Sequence, residues 1–265
     1  MAGIKVVVNG ALGKMGKEVV SAMCKAPDMD PVGAVDIATT EDYMSLPDGS
    51  GLIPLSKDLD AMIIRCKPQV VIDFSNAQSA LHVLRTATPR GVCSVIGSTG
   101  ITDAIIQEAR TLADKHKVGI IIAPNFALGA VLLIHLAGLV GKFFDYADLT
   151  EIHHETKIDA PSGTSLAIAK ALAESKGGTF KSPKPEKETL AGTRGGEFKG
   201  VNIHSGRMPG KMAYHNLILG TQGQTLTISH DTINRECYMP GVTIAVREVV
   251  KSKGLTVGLD KVLGL

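Results

Sequence analysis

Ile4-Lys5-Val6-Val7-Val8-Asn9-Gly10-Ala11-Leu12-Gly13-Lys14-Met15-Gly16 is the stretch whose reading decides the fold. A short continuous apolar run, Ile4 to Val8, stops at a glycine-rich turn, and a helical pattern follows to about Lys25. Strand, glycine turn and helix in that order form the setting a dinucleotide fingerprint requires. The glycines fall as G-x-x-G-x-x-G. Gly10 suits the tight turn, Gly13 lets a pyrophosphate approach the backbone, and Gly16 lets the helix pack close to the strand. The helix start then offers unpaired N–H groups and positive partial charge to phosphates. Gly10, Ala11, Leu12, Gly13, Lys14, Met15 and Gly16 are therefore candidate cofactor-binding residues. An ordinary βα turn can carry glycines too, so the motif needs support from further along the chain. A P-loop is excluded, because Met15 follows Lys14 where Ser or Thr must hold magnesium.

That support comes from the next strand. Val32-Gly33-Ala34-Val35 ends at Asp36, twenty residues after Gly16. An acid there accepts hydrogen bonds from adenosine ribose hydroxyls. Position 37 is Ile, and no cation occurs from Ile37 to Thr40, so a 2′-phosphate has no obvious partner beyond Lys14. The expectation is NADH, or use of both NADH and NADPH. Further strands are expected at Gln69–Phe74, Val92–Ile96 and Gly119–Ala123, alternating with helices at about Gln78–Thr86 and Asp103–Lys115. Such alternation gives a parallel sheet with helices on both faces. Residues just after the strand ends gather along one edge, where cofactor binds. This adds Phe74, Gly97, Ser98, Thr99, Ala123, Asn125 and Phe126 to the candidates, although packing at a sheet edge would use the same residue types.

After Phe126 the pattern changes. A helix from Leu128 to Val140, a strand from Tyr146 to His154 and a helix from Ser165 to Ser175 are followed by a polar stretch, Gly177 to Gly200, that reads as a loop. Val201–His204 is expected as a strand, and His215–Leu219 and Thr225–Ser229 as a hairpin around Gly220 to Gln224. A last helix, Met239 to about Lys251, precedes Leu255 to Leu265. The fold class is α/β: a Rossmann-type dinucleotide-binding domain at 1–125, an α+β substrate and oligomerisation domain with an open mixed sheet at 126–235, and a segment at 236–265 returning to the first domain.

The second half also holds the densest chemistry, in Glu151-Ile152-His153-His154-Glu155-Thr156-Lys157-Ile158-Asp159-Ala160-Pro161-Ser162-Gly163-Thr164. Two histidines and a lysine precede a Ser-Gly-Thr turn at a helix start. Histidine is the natural proton donor near neutral pH. The helix start, with the backbone N–H groups of Gly163 and Thr164 and the hydroxyls of Ser162 and Thr164, suits a carboxylate, and Lys157 can hold the same or a second one. On an extended strand His153 and His154 face opposite sides, so both reach one place only where the strand ends. Adjacent histidines rarely ligate one metal from a strand, and no second histidine follows at helical spacing, so no metal is expected. No Gly-x-Ser-x-Gly elbow supports a hydrolase.

Bulk properties exclude other classes. A formal net charge of +2 and the absence of Trp argue against a nucleic-acid surface. No apolar run reaches the ~18 residues of a membrane span. The four cysteines, Cys24, Cys66, Cys93 and Cys237, are widely spaced and read as free thiols of a reducing cytoplasm. The N-terminal residues run straight into Ile4, so no secretory leader is expected.

His153-His154-x-x-Lys157-x-Asp159-Ala160-Pro161-Ser162-Gly163-Thr164 resembles the signature of the dihydrodipicolinate reductase (4-hydroxy-tetrahydrodipicolinate reductase) family. The resemblance extends over nearly the whole chain. It includes Gly10-x-x-Gly13-Lys14-Met15-Gly16, Asp73-Phe74-Ser75, Gly97-Ser98-Thr99-Gly100, Ala123-Pro124-Asn125-Phe126, His204-Ser205-Gly206-Arg207 and Met239-Pro240-Gly241. It implies reduction of a cyclic dicarboxylic imine by NADH or NADPH in the diaminopimelate route of lysine biosynthesis, by a cytoplasmic homotetramer. It gives His153 the role of general acid and Lys157 a catalytic role as well as a hold on substrate. His154, Ser162, Gly163 and Thr164 would bind the substrate carboxylates, and Asp36 the ribose. Ile37 departs from the arginine that many members carry there for NADP. Two other readings stay open: a different two-domain nicotinamide dehydrogenase acting on amino or semialdehyde substrates, and a non-catalytic NAD-binding sensor. Between His153 and Lys157 as the proton donor, and for the role of Arg194, the sequence gives no decision.

Overall fold

The computed structural model describes residues 3–265. The chain divides into two compact units. One runs to Phe126 and resumes at Tyr238–Leu265; the other is Ala127–Cys237.

The first unit contains β1 (Ile4–Asn9), α1 (Lys14–Lys25), β2 (Met29–Val35), β3 (Tyr43–Ser45), β4 (Leu52–Ser56), α2 (Leu59–Cys66), β5 (Val70–Asp73), α3 (Ala77–Ala87), β6 (Cys93–Ile96), α4 (Asp103–His116) and β7 (Ile120–Ile122). The second contains α5 (Leu128–Val140), β8 (Tyr146–His153), α6 (Gly163–Lys176), β9 (Gly196–Phe198), β10 (Val201–Arg207), β11 (Ala213–Thr221) and β12 (Gln224–Thr232). The chain closes with α7 (Met239–Val249), β13 (Leu255–Val257) and α8 (Leu259–Leu263), which belong to the first unit.

The strands of the first sheet lie in the order β13-β7-β6-β5-β1-β2-β4-β3, and every neighbouring pair except β3–β4 is parallel. Strand order reverses beside β1: the chain goes first to β2 on one side and later to β5 on the other. That leaves a crevice at the carboxyl ends of β1 and β5, where an open α/β sheet takes its ligand. The central strands are covered on both faces, which is why Val6–Val8 of β1, Val70–Ile72 of β5 and Ile120–Ile122 of β7 are consecutive apolar residues. Helix α1 buries Gly16, Val19, Val20 and Met23 at helical spacing against this layer. Side-chain caps fix the starts of α2, α3 and α4, where Asp58, Asn76 and Thr102 accept backbone N–H groups.

Between Asp36 and Gln69 the sequence carries too little periodicity to assign elements, and the structure adds β3, β4 and α2 there. β3 is the edge strand and β4 lies just inside it, between β2 and β3; both are short, and their pairing is a long-range property. β2 begins at Met29, earlier than the apolar run suggests, because parallel pairing with β1 carries Pro31 inside the ladder.

The second sheet is mixed, in the order β12-β11-β8-β10-β9, with β8 and β10 parallel and the remaining neighbours antiparallel. Along β8, Ala147, Leu149, Glu151 and His153 alternate inward. Ala147 and Leu149 join the cluster formed by Leu133 and Ala137 of α5 and Ile168, Ala169 and Leu172 of α6. Glu151 and His153 continue the same buried face with polar chemistry. β10 extends to Arg207, beyond the expected end at His204, since pairing with β8 carries it to the level of His153. The polar stretch after Gly177 is not wholly a loop, because Gly196–Phe198 adds an edge strand to β10. The hairpin strands are also longer than their apolar cores, meeting at Thr221 and Gln224.

Candidate functional site

The glycine turn follows β1. Gly10 has φ +74°, the left-handed region that glycine enters without strain. Gly16 packs so closely on the Gly10 carbonyl and the Ala11 backbone that a Cβ would overlap both. Gly13 is exposed at the helix start, which leaves the backbone accessible. A cavity of about 510 Å³ opens here, lined by Asn9, Gly10, Gly13, Asp36, Ile37, Phe74 and Ser75 among others. Asp36 accepts from the Leu12 N–H through Oδ2 and from the Ala38 N–H through Oδ1, both at 2.9 Å. These bonds hold the carboxylate beside the turn. Ile37 points into solvent, 85 % exposed. A glycine cradle, a free helix start and a strand-end carboxylate on one cavity fit a dinucleotide.

A buried carboxylate ties the sheet crest behind that cavity. Asp73 Oδ1 accepts from Asn9 Nδ2 and Ser75 Oγ, both at 2.6 Å, and Oδ2 accepts from the Ser98 hydroxyl. Burial pushes the Asp73 carboxyl up, against the lowering effect of those hydrogen bonds from Ser75, Ser98 and Asn9. Ser98 Oγ also receives the Ser75 N–H at 2.9 Å. Three neighbouring strand ends are thus linked through one side chain. Gly97 lies against the Phe74 ring, which leaves no room for a Cβ, and Phe74 stacks at a tilt on Phe126, with ring centroids 5.3 Å apart. Ala123 and Phe126 are buried, Asn125 is half-buried and Thr99 is exposed.

The second unit carries the histidine segment. β8 stops at His153, whose carbonyl accepts from Met208 N–H at 3.0 Å. His153 is buried at 7 % exposure, while His154, outside the strand, is half-buried and places Nδ1 2.7 Å from Thr156 Oγ1. His154 and Thr156 line a cavity of about 420 Å³ with Lys211, Met212, Ile233 and Arg235. Lys157 Nζ donates to Asp159 Oδ1 at 2.6 Å. Arg207 Nη2 donates to the Asp159 carbonyl at 2.6 Å and to Glu151 Oε1 at 2.9 Å.

Ser162 is the N-cap of α6 and is 2 % exposed. Its hydroxyl accepts the Ser165 N–H at 3.2 Å and lies 3.0 Å from Ser165 Oγ and 3.2 Å from His215 Nε2. That hydroxyl is therefore committed within the fold. Gly163 and Thr164 occupy the first two helical positions, whose N–H groups have no intrahelical acceptor. Gly163 is exposed, and a Cβ there would meet nothing within 4 Å. The turn thus presents backbone donors to open space.

Glu151 joins these parts. It is fully buried, and its Oε1 accepts the Ser162 N–H at 3.2 Å as well as the Arg207 guanidinium. Its Oε2 lies 2.8 Å from His153 Nδ1. Burial works to raise its pKa, but hydrogen bonds from His153, Ser205, Ser162 and Arg207 outweigh that and hold it well below the usual carboxylate range. His215, opposite Glu151 in the β11 register, packs edge-on against His153 with ring centroids 5.3 Å apart. Burial, with the nearby His153 adding to it, lowers the His215 pKa to about 4, so His215 is neutral at physiological pH. Glu151, His153 and His215 bring one ligand-type atom each within 4.8 Å of the others. A divalent ion among them would have to share Glu151 with Arg207, so the arrangement favours a hydrogen-bonded network.

Glu151, Arg207 and His215 carry no role in the sequence reading. The even spacing of Glu151 and His153 was the available signal, since period two places both on one face. Arg207 and His215 arrive through strand register, which the local sequence does not specify. Arg194 lines a different cavity with Tyr146, Asp148 and Lys181, near the opposite end of β8 from His153.

The family model described as "Dihydrodipicolinate reductase, N-terminus" matches residues 4–126, and that described as "Dihydrodipicolinate reductase, C-terminus" matches 129–263. The 4-hydroxy-tetrahydrodipicolinate reductase of Dehalococcoides mccartyi is 47 % identical over 265 residues, covering 100 % of both chains. That of Moorella thermoacetica is 40 % identical over 267 residues, covering 99 % of each. Among solved structures, the dipicolinate-bound dihydrodipicolinate reductase of Paenisporosarcina sp. TG-14 superposes with a TM-score of 0.88 at 36 % identity, covering 98 % of this chain and 99 % of that one. An amine dehydrogenase from Mycobacterium smegmatis, with a TM-score of 0.63 at 15 % identity and coverage of 96 % and 94 %, shares the fold alone.

Proposed function

The chain belongs to the dihydrodipicolinate reductase family, and from that premise we propose that it reduces 4-hydroxy-tetrahydrodipicolinate to tetrahydrodipicolinate, a step of lysine biosynthesis through diaminopimelate. The observation that carries this reading is a buried histidine paired to a carboxylate that also holds the N–H of the turn opening α6.

A bound nicotinamide cofactor supplies the hydride. Gly10, Ala11, Leu12, Gly13, Lys14, Met15 and Gly16 would hold its phosphates and Asp36 its adenosine ribose. Phe74, Gly97, Ser98, Thr99, Ala123, Asn125 and Phe126 would line the sheet crest around the remainder. The exposed Ile37 and the lack of a cation up to Thr40 support NADH, or both cofactors, over strict use of NADPH.

His154, Lys157 and the N–H groups of Gly163 and Thr164 would bind the two substrate carboxylates. Ser162 serves that turn as its cap, because its hydroxyl is already engaged. His153 delivers the proton, and Lys157 is the binding cation. Its Asp159 partner lets the ammonium rest as a paired charge until a carboxylate competes for it. Loss of the substrate hydroxyl as water, with gain of a hydride and a proton, balances the reaction.

A homotetrameric assembly is part of this proposal. Tyr146 and Ile218, 43 % and 40 % exposed on the second sheet, support it as apolar surface suited to an interface. A cytoplasmic location is proposed on four cysteines with no disulfide among the described residues. No helix among the described residues is long and apolar enough to cross a membrane.

The test is oxidation of NADH and of NADPH with the freshly formed condensation product of pyruvate and aspartate semialdehyde. Folded, cofactor-binding protein that turns over neither pair refutes the proposal. His153→Gln should lower kcat far more than it raises KM; a change in KM alone would move His153 to the binding set.

A further inference from the structure

We propose that Glu151 is the positioning residue of the site: its buried carboxylate holds Nδ1–H of His153 and so fixes Nε2 as the ring nitrogen that delivers the proton. The inference rests on the reading of His153 as the proton donor.

A fully buried carboxylate is costly unless each oxygen is answered. Here Oε1 is hydrogen-bonded, and Oε2 has only a close ion-pair contact with His153, whose Nδ1 has no other partner. Oε1 takes the Arg207 guanidinium and the Ser162 N–H, and Oε2 faces His153 Nδ1 at 2.8 Å. Arg207 alone would neutralise the charge at one oxygen, and the remaining oxygen is aimed at the histidine. A histidine that gives up a proton needs a defined tautomer and ring orientation, which a partner on its second nitrogen provides. Because Glu151 also holds the N–H of the α6 cap residue, one side chain sets the donor ring and the carboxylate-binding turn in a fixed relation.

The charged and titratable groups around His153 come from four elements besides its own strand. β8 supplies Glu151; β10 supplies Arg207, opposite His153 in register; β11 supplies His215; the segment between β8 and α6 supplies Lys157; and β12 supplies His230, within electrostatic reach of His215. His215, kept neutral by burial, adds no charge to oppose the imidazolium.

The experiment compares full-length wild type, Glu151→Gln, His153→Gln and the double variant, each with the condensation product and NADH, across pH 5.5–9.5. Glu151→Gln is expected to lower kcat at least tenfold with KM changed less than about threefold. The alkaline limb of its kcat profile should move to lower pH, because the imidazolium loses its stabilising carboxylate. The double variant should be no slower than His153→Gln within about twofold, since Glu151 acts through that ring. Multiplicative losses in the double variant, or an unmoved pH limb, overturn the inference while leaving His153 as donor. An unimpaired His153→Gln overturns the reading beneath it instead. Should Glu151→Gln not fold, ¹⁵N NMR of the wild-type histidines decides: neutral His153 as the Nδ1–H tautomer supports the assignment, and the Nε2–H tautomer refutes it.

Discussion

Replacement of Ile37 by arginine tests the cofactor reading most directly. Ile37 is 85 % exposed and borders the same cavity as Gly10, Gly13 and Asp36. None of the described residues lining that cavity is Lys or Arg. An arginine there would be introduced without a burial cost and could reach a 2′-phosphate beside the Asp36 carboxylate. Two unit charges 4 Å apart in water attract by about 1 kcal/mol, and a charge-assisted hydrogen bond adds ~1.5–3 kcal/mol before side-chain ordering and solvent screening are subtracted. A net gain of about 1.5–2 kcal/mol is the reasonable expectation, which corresponds to roughly 10–30-fold in kcat/KM for NADPH. NADH lacks the phosphate and should change by no more than about twofold. The assay is initial-rate kinetics with each cofactor at 0.05 and 0.5 M salt; the gain for NADPH should shrink at the higher salt. Equal changes for both cofactors, or none for NADPH, would refute the placement of the adenosine end at Asp36 and Ile37.

Gly16→Ala forces a Cβ into the Gly10 carbonyl and the Ala11 backbone, and should both lower the melting temperature and raise KM for NADH, measured by thermal shift and steady-state rates. Ser162→Ala removes the α6 cap and a partner of His215 Nε2; about 1–2 kcal/mol of destabilisation is expected, checked by chemical unfolding at pH 7. His215 has its pKa lowered to about 4 in the folded state, so its neutral form contributes stability above its unfolded pKa of ~6.5 that is lost as pH falls from there to about 4. Urea midpoints should therefore drop across that window, by on the order of 3 kcal/mol from this group, and His215→Asn should flatten the decline. Glu151, depressed below the ordinary carboxylate range, contributes stability above its unfolded pKa of ~4.3 and loses it only at still lower pH. Urea midpoints that stay flat between pH 6.5 and 4, or fall equally in His215→Asn, would refute the His215 assignment.

Much of the first sheet was legible because its strands are buried on both faces and read as apolar runs punctuated by glycine. The glycine turn, Asp36 and the spacing to α1 likewise follow from local rules, since backbone conformation at Gly10 and close packing at Gly16 depend on a few adjacent residues. The short β3–β4 pair and β9 were not legible, because strands of three to five residues at or near a sheet edge exist only through their partners. In the histidine segment, sequence alone placed His153, His154, Lys157 and the Ser162-Gly163-Thr164 helix start within a dozen residues, and the end of β8 at His153 separates the two histidines as strand parity requires. What only the tertiary structure decided is the company they keep. Parallel register brings Arg207 level with His153, and antiparallel register brings His215 opposite Glu151. These partners lie more than fifty residues away from their counterparts along the chain. Nothing local encodes such pairings, because register is fixed by the burial of a whole strand face. Through them Glu151 stays ionised in the interior, His215 stays neutral, and the Ser162 hydroxyl that caps α6 lies 3.2 Å from His215 Nε2.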